Sequence, residues 1–557
     1  MVAMSRSVCL TGILLLATCS RGAEEAPAAR APLFDNLGSY RHPITTSSAD
    51  AQRYFDQGLT LSYAFNHAEA IRSFRQAAAL DPACAMCFWG VAYALGPNIN
   101  APITEDAARD AWQAIGEARR LAATASERER AYIDALARRY DANPAAPRPP
   151  LDRAYADAMR ELTTRYPDDL DAATLYAQSL MDTSPWNYWD ADGKPREFTS
   201  AVLAALESVF ARNPNHPGAI HLYIHAVEAS DNPGRAEPHA DRLATLVPGA
   251  GHLVHMPAHI YLRVGRFADA TASNERAQTV DQAYLAGDAV EGNAVYEMGY
   301  VPHNPHFAAT SAAFEGRRAR AMELAEATRA LAHPEMWRDP AMGGMLQHFA
   351  LTPLYTRVRF HRWDEVVAEP EPAADLPFTR AIWHMARGFA YADRGQLAEA
   401  RKELAALAAI RKDASLAQVY VSSVNTAASI VAIAHEVLEG QIAVRERRAA
   451  QAAAHFAQAV ALEDGLTYME PPDWPIPVRQ LQGAALLAVG RARDAEAAFR
   501  ADLRKFPENG WSLSGLHASL ERQGRGAEAA AVKTRFDAAW RGADTPVAGG
   551  RPLPATN

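Results

Sequence analysis

An all-α fold built from repeated helical hairpins is what this sequence predicts, and three observations carry the prediction. The chain has 557 residues, whereas single hydrophobic cores stop growing at about 250–300 residues. It is 49% apolar and 22% charged, and its richness in Ala and scarcity of β-branched runs favour helices. One spaced pattern also recurs: Gly388, Tyr391, Gly395, Leu397 and Ala400 return with the same spacings as Ala258, Tyr261, Gly265, Phe267 and Ala270, and as Gly483, Leu486, Gly490, Ala492 and Ala495.

In chain order, residues 1–19 come first. Arg6 precedes an apolar stretch from Val8 to Ala17, which is short of the roughly 20 residues needed to cross a bilayer and reads as an export signal. Its end, Leu16-Ala17-Thr18-Cys19, resembles a bacterial lipoprotein cleavage box, with Thr18 where Gly, Ala or Ser is usual. The resemblance implies lipidation of Cys19, and hence a periplasmic protein anchored to the outer membrane of a Gram-negative bacterium. Residues 20–47, rich in Ala, Pro and Glu, would be the tether; residues 546–557 would be a disordered tail. With Cys9 and Cys19 in the signal, Cys84 and Cys87 remain as a C-x-x-C pair, for which an oxidising compartment favours a disulfide. Phe88, not His, follows the pair, which argues against covalent haem. No strand and helix alternation surrounds it, which argues against a thioredoxin-like enzyme. The net charge is −9, with basic residues dispersed among acids, so no nucleic-acid partner is expected.

A weaker copy of the repeat runs Gly58, Leu61, Phe65, His67, Ala70, and two copies end alike, with Ala70, Phe74, Pro82 and with Ala495, Phe499, Pro507. The pattern resembles the tetratricopeptide repeat family, whose unit is a helix, a tight turn and a second helix. A small residue lets the helices approach, Gly takes the turn, aromatic and Ala residues fill the interface, and Pro stops the second helix. The resemblance implies a right-handed α-solenoid over residues 48–545, with a concave ligand groove lined by the first helix of each pair. The chain is also similar to exported bacterial repeat proteins of unassigned activity.

Residues 251–270, GHLVHMPAHIYLRVGRFADA, place His252, His255 and His259 thirteen, ten and six residues before the turn residue Gly265. Before Gly234 stand His221, His225 and Glu228; before Gly316 stand His303 and His306; His348 stands thirteen residues before His361, which takes the turn in its unit. Cys84 and Cys87 occupy the same slots before Pro97, and Arg263 and Arg359 lie two residues before their turns. In the family these slots face the groove, so the resemblance implies a histidine-lined stretch at about 215–365. Helical geometry supports a common face, because offsets of three, four and seven stack on one side of a helix.

Three functions fit such a stripe. The first is a transition-metal site, because imidazole is the commonest metal ligand and neighbouring helices pack about 8–10 Å apart. His221, His225, His252, His255, His259, His303 and His306 are its candidate ligands, the His252/His255 pair foremost, with zinc and copper as the suitable ions. Glu228 would be a carboxylate ligand or a general base. The second is a non-metal ligand site for a small molecule or peptide, using His221, His225, Glu228, His303, His306, His348, Arg263 and Arg359. The third is a structural polar wall. A scaffold that grips a partner protein without metal is the alternative from another class, and a metal-dependent hydrolase or oxidoreductase is a further one. No H-E-x-x-H helix, G-x-S-x-G elbow or phosphate loop names a reaction. The added stretch 281–300, with Asp281, Asp288, Glu291 and Tyr296, reads as a lid or as a long inter-repeat loop. The clusters at 185–190 and 468–477, with Trp186, Tyr188, Trp189, Tyr468 and Trp474, read as a stacking wall or as irregular helix ends; Asn98 and Asn100 invite the same two readings.

Overall fold

A computed structural model describes residues 30–190, 193–287 and 293–552. The export signal, Cys19, Asp288 and Glu291 lie outside the described residues. Helical hairpins follow one another throughout, from the pair Ala49–Tyr63 and His67–Leu80 to the pair Gly510–Arg522 and Gly526–Ala539. The chain is therefore an α-solenoid of tetratricopeptide-like helix-turn-helix units.

The turns fall where the repeat places them. Gly265, Gly316, Gly395 and Gly490 have φ of 82°, 71°, 77° and 81°, a left-handed conformation that glycine adopts without steric cost. Phe65 and His361 take the same slot with φ of 55° and 54°. Gly234 is the exception: it sits in a short 3-10 turn, Pro233–Ala236. The small residues of the repeat have an equally direct cause. A Cβ on Gly483 would lie 2.6 Å from the Phe499 ring, and one on Gly515 would lie 2.1 Å from the same ring. Gly58 and Gly90 flank Phe74 in the same way, at 2.7 and 2.3 Å. One buried Phe from a second helix thus fills notches in the first helices on both sides, and a methyl group in either notch would overpack it.

The first helix of the central histidine unit is interrupted, running Gly251–His255 and then Pro257–Val264, because Pro257 has no N–H to donate. Pro353 follows a similar break between Gly343–Ala350 and Thr352–Arg359, and Pro305 lies inside Val301–Phe314.

The C-terminal units fold back over the central ones. The Trp511 indole donates to the Ala313 carbonyl at 2.9 Å, the Phe506 ring lies 5.0 Å from Phe314, and a Cβ on Gly316 would meet Trp540 at 2.2 Å. These contacts hold the turn end of the Val301–Phe314 hairpin, and Glu470 reaches the histidines themselves, its Oε2 3.7 Å from His259 Nδ1. The histidine stripe, expected to face an open groove, is buried, and of the candidate histidines only His303 keeps partial exposure.

Both ends depart from the expected tether and tail. From residue 30 onward the segment before the first helix is packed: the Ala31 N–H donates to Gln76 at 3.1 Å and the Phe34 N–H to Gln57 at 2.8 Å. Ala31 and Leu37 are buried, which supplies the apolar contact that holds it. At the other end, Val547–Ala548 pairs with Arg551–Pro552, and Arg551 donates to Asp393 at 2.8 Å, so an ion pair anchors what composition alone reads as disordered. Among the described residues one helix, Ala427–Arg445, is long and apolar enough to cross a membrane, and 72% of that apolar window is buried within the fold.

Candidate metal centre

Three first helices build the centre: Pro217–Val227, the interrupted pair Gly251–His255 and Pro257–Val264, and Val301–Phe314. His221 and His225 stand one turn apart with ring centroids 4.9 Å apart, and the His252 ring lies 4.9 Å from His221. A nitrogen from each of these three rings lies within 4.8 Å of the others. Nε2 of all three is buried without a hydrogen-bond partner. In two of the rings the opposite nitrogen is engaged: His221 Nδ1 meets the Tyr63 carbonyl at 2.5 Å, and His225 Nδ1 meets Glu228 Oε1 at 2.8 Å. A carbonyl and a carboxylate can only accept, so Nδ1 carries the proton in both rings and Nε2 presents its lone pair.

His255, His259 and His303 form a second group, again with one nitrogen from each within 4.8 Å of the others. His255 Nδ1 meets Asn274 Oδ1 at 2.6 Å, and Asn274 Nδ2 donates to the Ala270 carbonyl at 2.9 Å, which fixes the amide with its oxygen toward the histidine. His259 Nδ1 meets Glu228 Oε2 at 2.5 Å, and the Nε2 atoms of His255 and His259 face each other at 2.8 Å. His225, Glu228 and His259 make a third grouping, in which the carboxylate spans the other two.

Burial holds His221, His252, His255 and His303 well below the ordinary imidazole value, and neighbouring imidazoles push in the same direction. Burial also lowers His225, with Glu228 opposing. These rings are neutral near pH 7, the form that binds metals. Burial alone would raise the Glu228 carboxyl, but His259 and His225 overcome it and bring it down to about 2. The surroundings are aromatic: Phe65 lies 4.4 Å from His221, Trp186 5.2 Å from His225, Tyr300 4.7 Å from His252, and Phe307 5.3 Å from His255. These walls exclude water and leave the nitrogens as the polar lining.

Not every candidate joins. His306 pairs with His348 at 5.4 Å instead of entering either triple; it shares Val301–Phe314 with His303 but meets the next first helix, Gly343–Ala350, which carries His348. Arg359 lies over the Trp511 ring at 4.1 Å, and burial lowers it to about 9. Arg263 donates to the carbonyls of Glu228 and Ser230, so it braces the backbone behind the centre. Cys84 and Cys87 are buried and joined as a disulfide. In the added stretch, Asp281 accepts from Tyr296 at 2.8 Å and from Asn304 at 2.6 Å, so the described part is packed down onto the centre. Trp186, Tyr188 and Trp474 are buried, and the Trp189 indole donates to the Ala226 carbonyl at 2.8 Å; these clusters are anchors, not an exposed stacking wall. Asn100 donates to the Tyr300 hydroxyl at 2.9 Å, and Asn98 to His67 Nε2 at 3.2 Å.

Sequence reasoning missed Tyr63, Phe65, Asn274, Phe307 and Glu470, whose Oε2 lies 3.7 Å from His259 Nδ1. Phe65 alone left a signal, as a large residue in a turn slot that favours glycine.

Fold and site together define a class: an α-solenoid of helical hairpins with a buried polyhistidine centre. No family model and no curated relative matches the chain. Among solved structures, the human IFIT1 dimer with PPP-AAAA is 12% identical, with 88% of this chain and 91% of that chain covered and a TM-score of 0.34. The yeast Tom70 crystal structure is 11% identical, with 88% and 90% covered and a TM-score of 0.26. TM-scores this low make neither protein a guide to function.

Proposed function

We propose that the protein is an exported, lipid-anchored tetratricopeptide-like protein that binds a transition metal ion, zinc or copper, through His221, His225 and His252. One observation carries this: three buried imidazoles converge with their Nε2 atoms unpartnered. Leaving such groups unpaired in a dry interior costs about 1–3 kcal/mol each, and a bound ion would satisfy all three. The Tyr63 carbonyl and Glu228 behind His221 and His225 are the supporting partners that metal-binding histidines ordinarily have. The Cys84–Cys87 disulfide agrees with an oxidising compartment. A peptide is the weaker ligand here, because the imidazoles are buried within the fold.

Elemental analysis tests the proposal. The wild type, exposed to zinc and copper and freed of excess metal, is expected to retain at least one ion per chain, and a His221→Ala/His252→Ala variant is expected to lose it. A folded wild type that retains none, or a variant that retains as much as the wild type, would overturn it.

A further inference from the structure

The geometry points to a second metal position beside the first, formed by His255, His259 and His303, so that the interior holds a dinuclear copper centre ligated by imidazoles alone. This rests on the metal reading of the first position.

Asn274 is fixed by its bond to the Ala270 carbonyl, so the atom facing His255 Nδ1 is an oxygen. His255 Nδ1 therefore donates, as His259 Nδ1 does to Glu228. The Nε2 atoms of the two rings converge at 2.8 Å, so both rings aim at one spot. His303 brings a third imidazole to the same place, its ring 4.7 Å from that of His255. One nitrogen from each of the three rings lies within 4.8 Å of the others, a spacing that suits a shared metal ion.

The two triples are neighbours. The His225 and His259 rings are 5.4 Å apart, and those of His252 and His255 are 5.5 Å apart. Glu228 joins them, with Oε1 on His225 of the first triple and Oε2 on His259 of the second. One carboxylate thus sets the tautomer of a ligand in each position, which makes it a positioning residue shared by both.

Neither triple contains a thiolate or a carboxylate; imidazole suits copper and zinc alike, and copper, the tighter binder among the divalent first-row ions, is the ion the proposal commits to. The aromatic walls of Phe65, Trp186, Tyr300 and Phe307 keep the positions dry.

The test loads metal-free wild type with copper(II) and, in a parallel sample, with zinc, removes the excess, counts metal per chain and records the electron paramagnetic resonance spectrum of the copper sample. Two copper ions are expected, with a signal well below that of two isolated ions because neighbouring spins couple. His255→Ala/His303→Ala is expected to hold one copper with a full one-spin signal. His303→Gln, at the partly exposed position, serves as the milder variant if the double one fails to fold, and is expected to hold one copper or to lose the second at least tenfold more readily. A wild type that holds one copper, unchanged in both variants, would overturn the second position and leave the first standing. No copper and no zinc at all would overturn both. Two coppers with full uncoupled intensity would overturn the dinuclear pairing, and two zinc ions with no copper would overturn the choice of metal.

Discussion

Replacing Asp171 with Ala is expected to remove about 3–5 kcal/mol of folding stability, the usual loss when one partner of a buried ion pair is deleted. Asp171 accepts from the Tyr63 hydroxyl at 2.5 Å, from the Tyr40 hydroxyl, and from His42 Nδ1 at 2.6 Å, and it lies 3.3 Å from His216 Nε2. Burial opposes its ionisation, but His42 and His216 outweigh burial and hold it well below the usual carboxylate range. Burial likewise lowers His42, and Asp171 overcomes that and raises it. The depressed carboxyl adds stability above its unfolded value, lost as pH falls through its folded one. The raised imidazole adds stability below about 6.5, lost as pH rises through its folded value. The Ala variant strands the His42 imidazole and the Tyr63 hydroxyl, while Tyr40 and His216 keep each other at 3.1 Å. Its reach includes the candidate histidine centre, because the backbone carbonyl of Tyr63 orients His221. Urea unfolding of the two proteins measures the loss, and a difference under about 1 kcal/mol would contradict the network's role.

Replacing Glu463 with Gln should do the opposite. Glu463 is buried and accepts from the Val478 N–H at 3.2 and 3.3 Å. Burial pushes its carboxyl up to about 7, with Lys505 opposing only in part. A carboxyl raised above its unfolded value favours the folded state at low pH, and that benefit is lost as pH rises from about 4.3 through about 7. Gln keeps the carbonyl acceptor and carries no charge. The variant is expected to match the wild type near pH 4.5 and to exceed it by about 2–3 kcal/mol at pH 8. Urea unfolding at the two pH values decides, and equal stability at both would show that Glu463 is not desolvated.

The hairpins were legible in the sequence because their causes are local. Gly265, Gly316, Gly395 and Gly490 mark turns by backbone conformation, and Gly483 with Phe499 marks a notch and its filler. The register also placed the histidines on the inner wall, since a helix fixes which residues share a face. Its limits are those of distance along the chain. The docking of the C-terminal units depends on contacts such as Trp511 with Ala313, 198 residues apart, and the docking of the segment before the first helix depends on Asp171, 129 residues from His42. Neither leaves a periodic trace. The grouping of histidines was hidden for a related reason. His221, His252 and His303 share one register, yet His303 joins His255 and His259 while His221 and His252 join His225. Register says which way a side chain points, and only the stagger between packed helices says which rings meet.

X-ray absorption at the metal edge of the loaded wild type tests the central claim most directly. The account predicts a first shell of nitrogen at about 2.0–2.1 Å, with the outer-shell scattering of imidazole rings and no sulfur. A shell dominated by oxygen without imidazole scattering, or sulfur at about 2.3 Å, would place the metal elsewhere and contradict it.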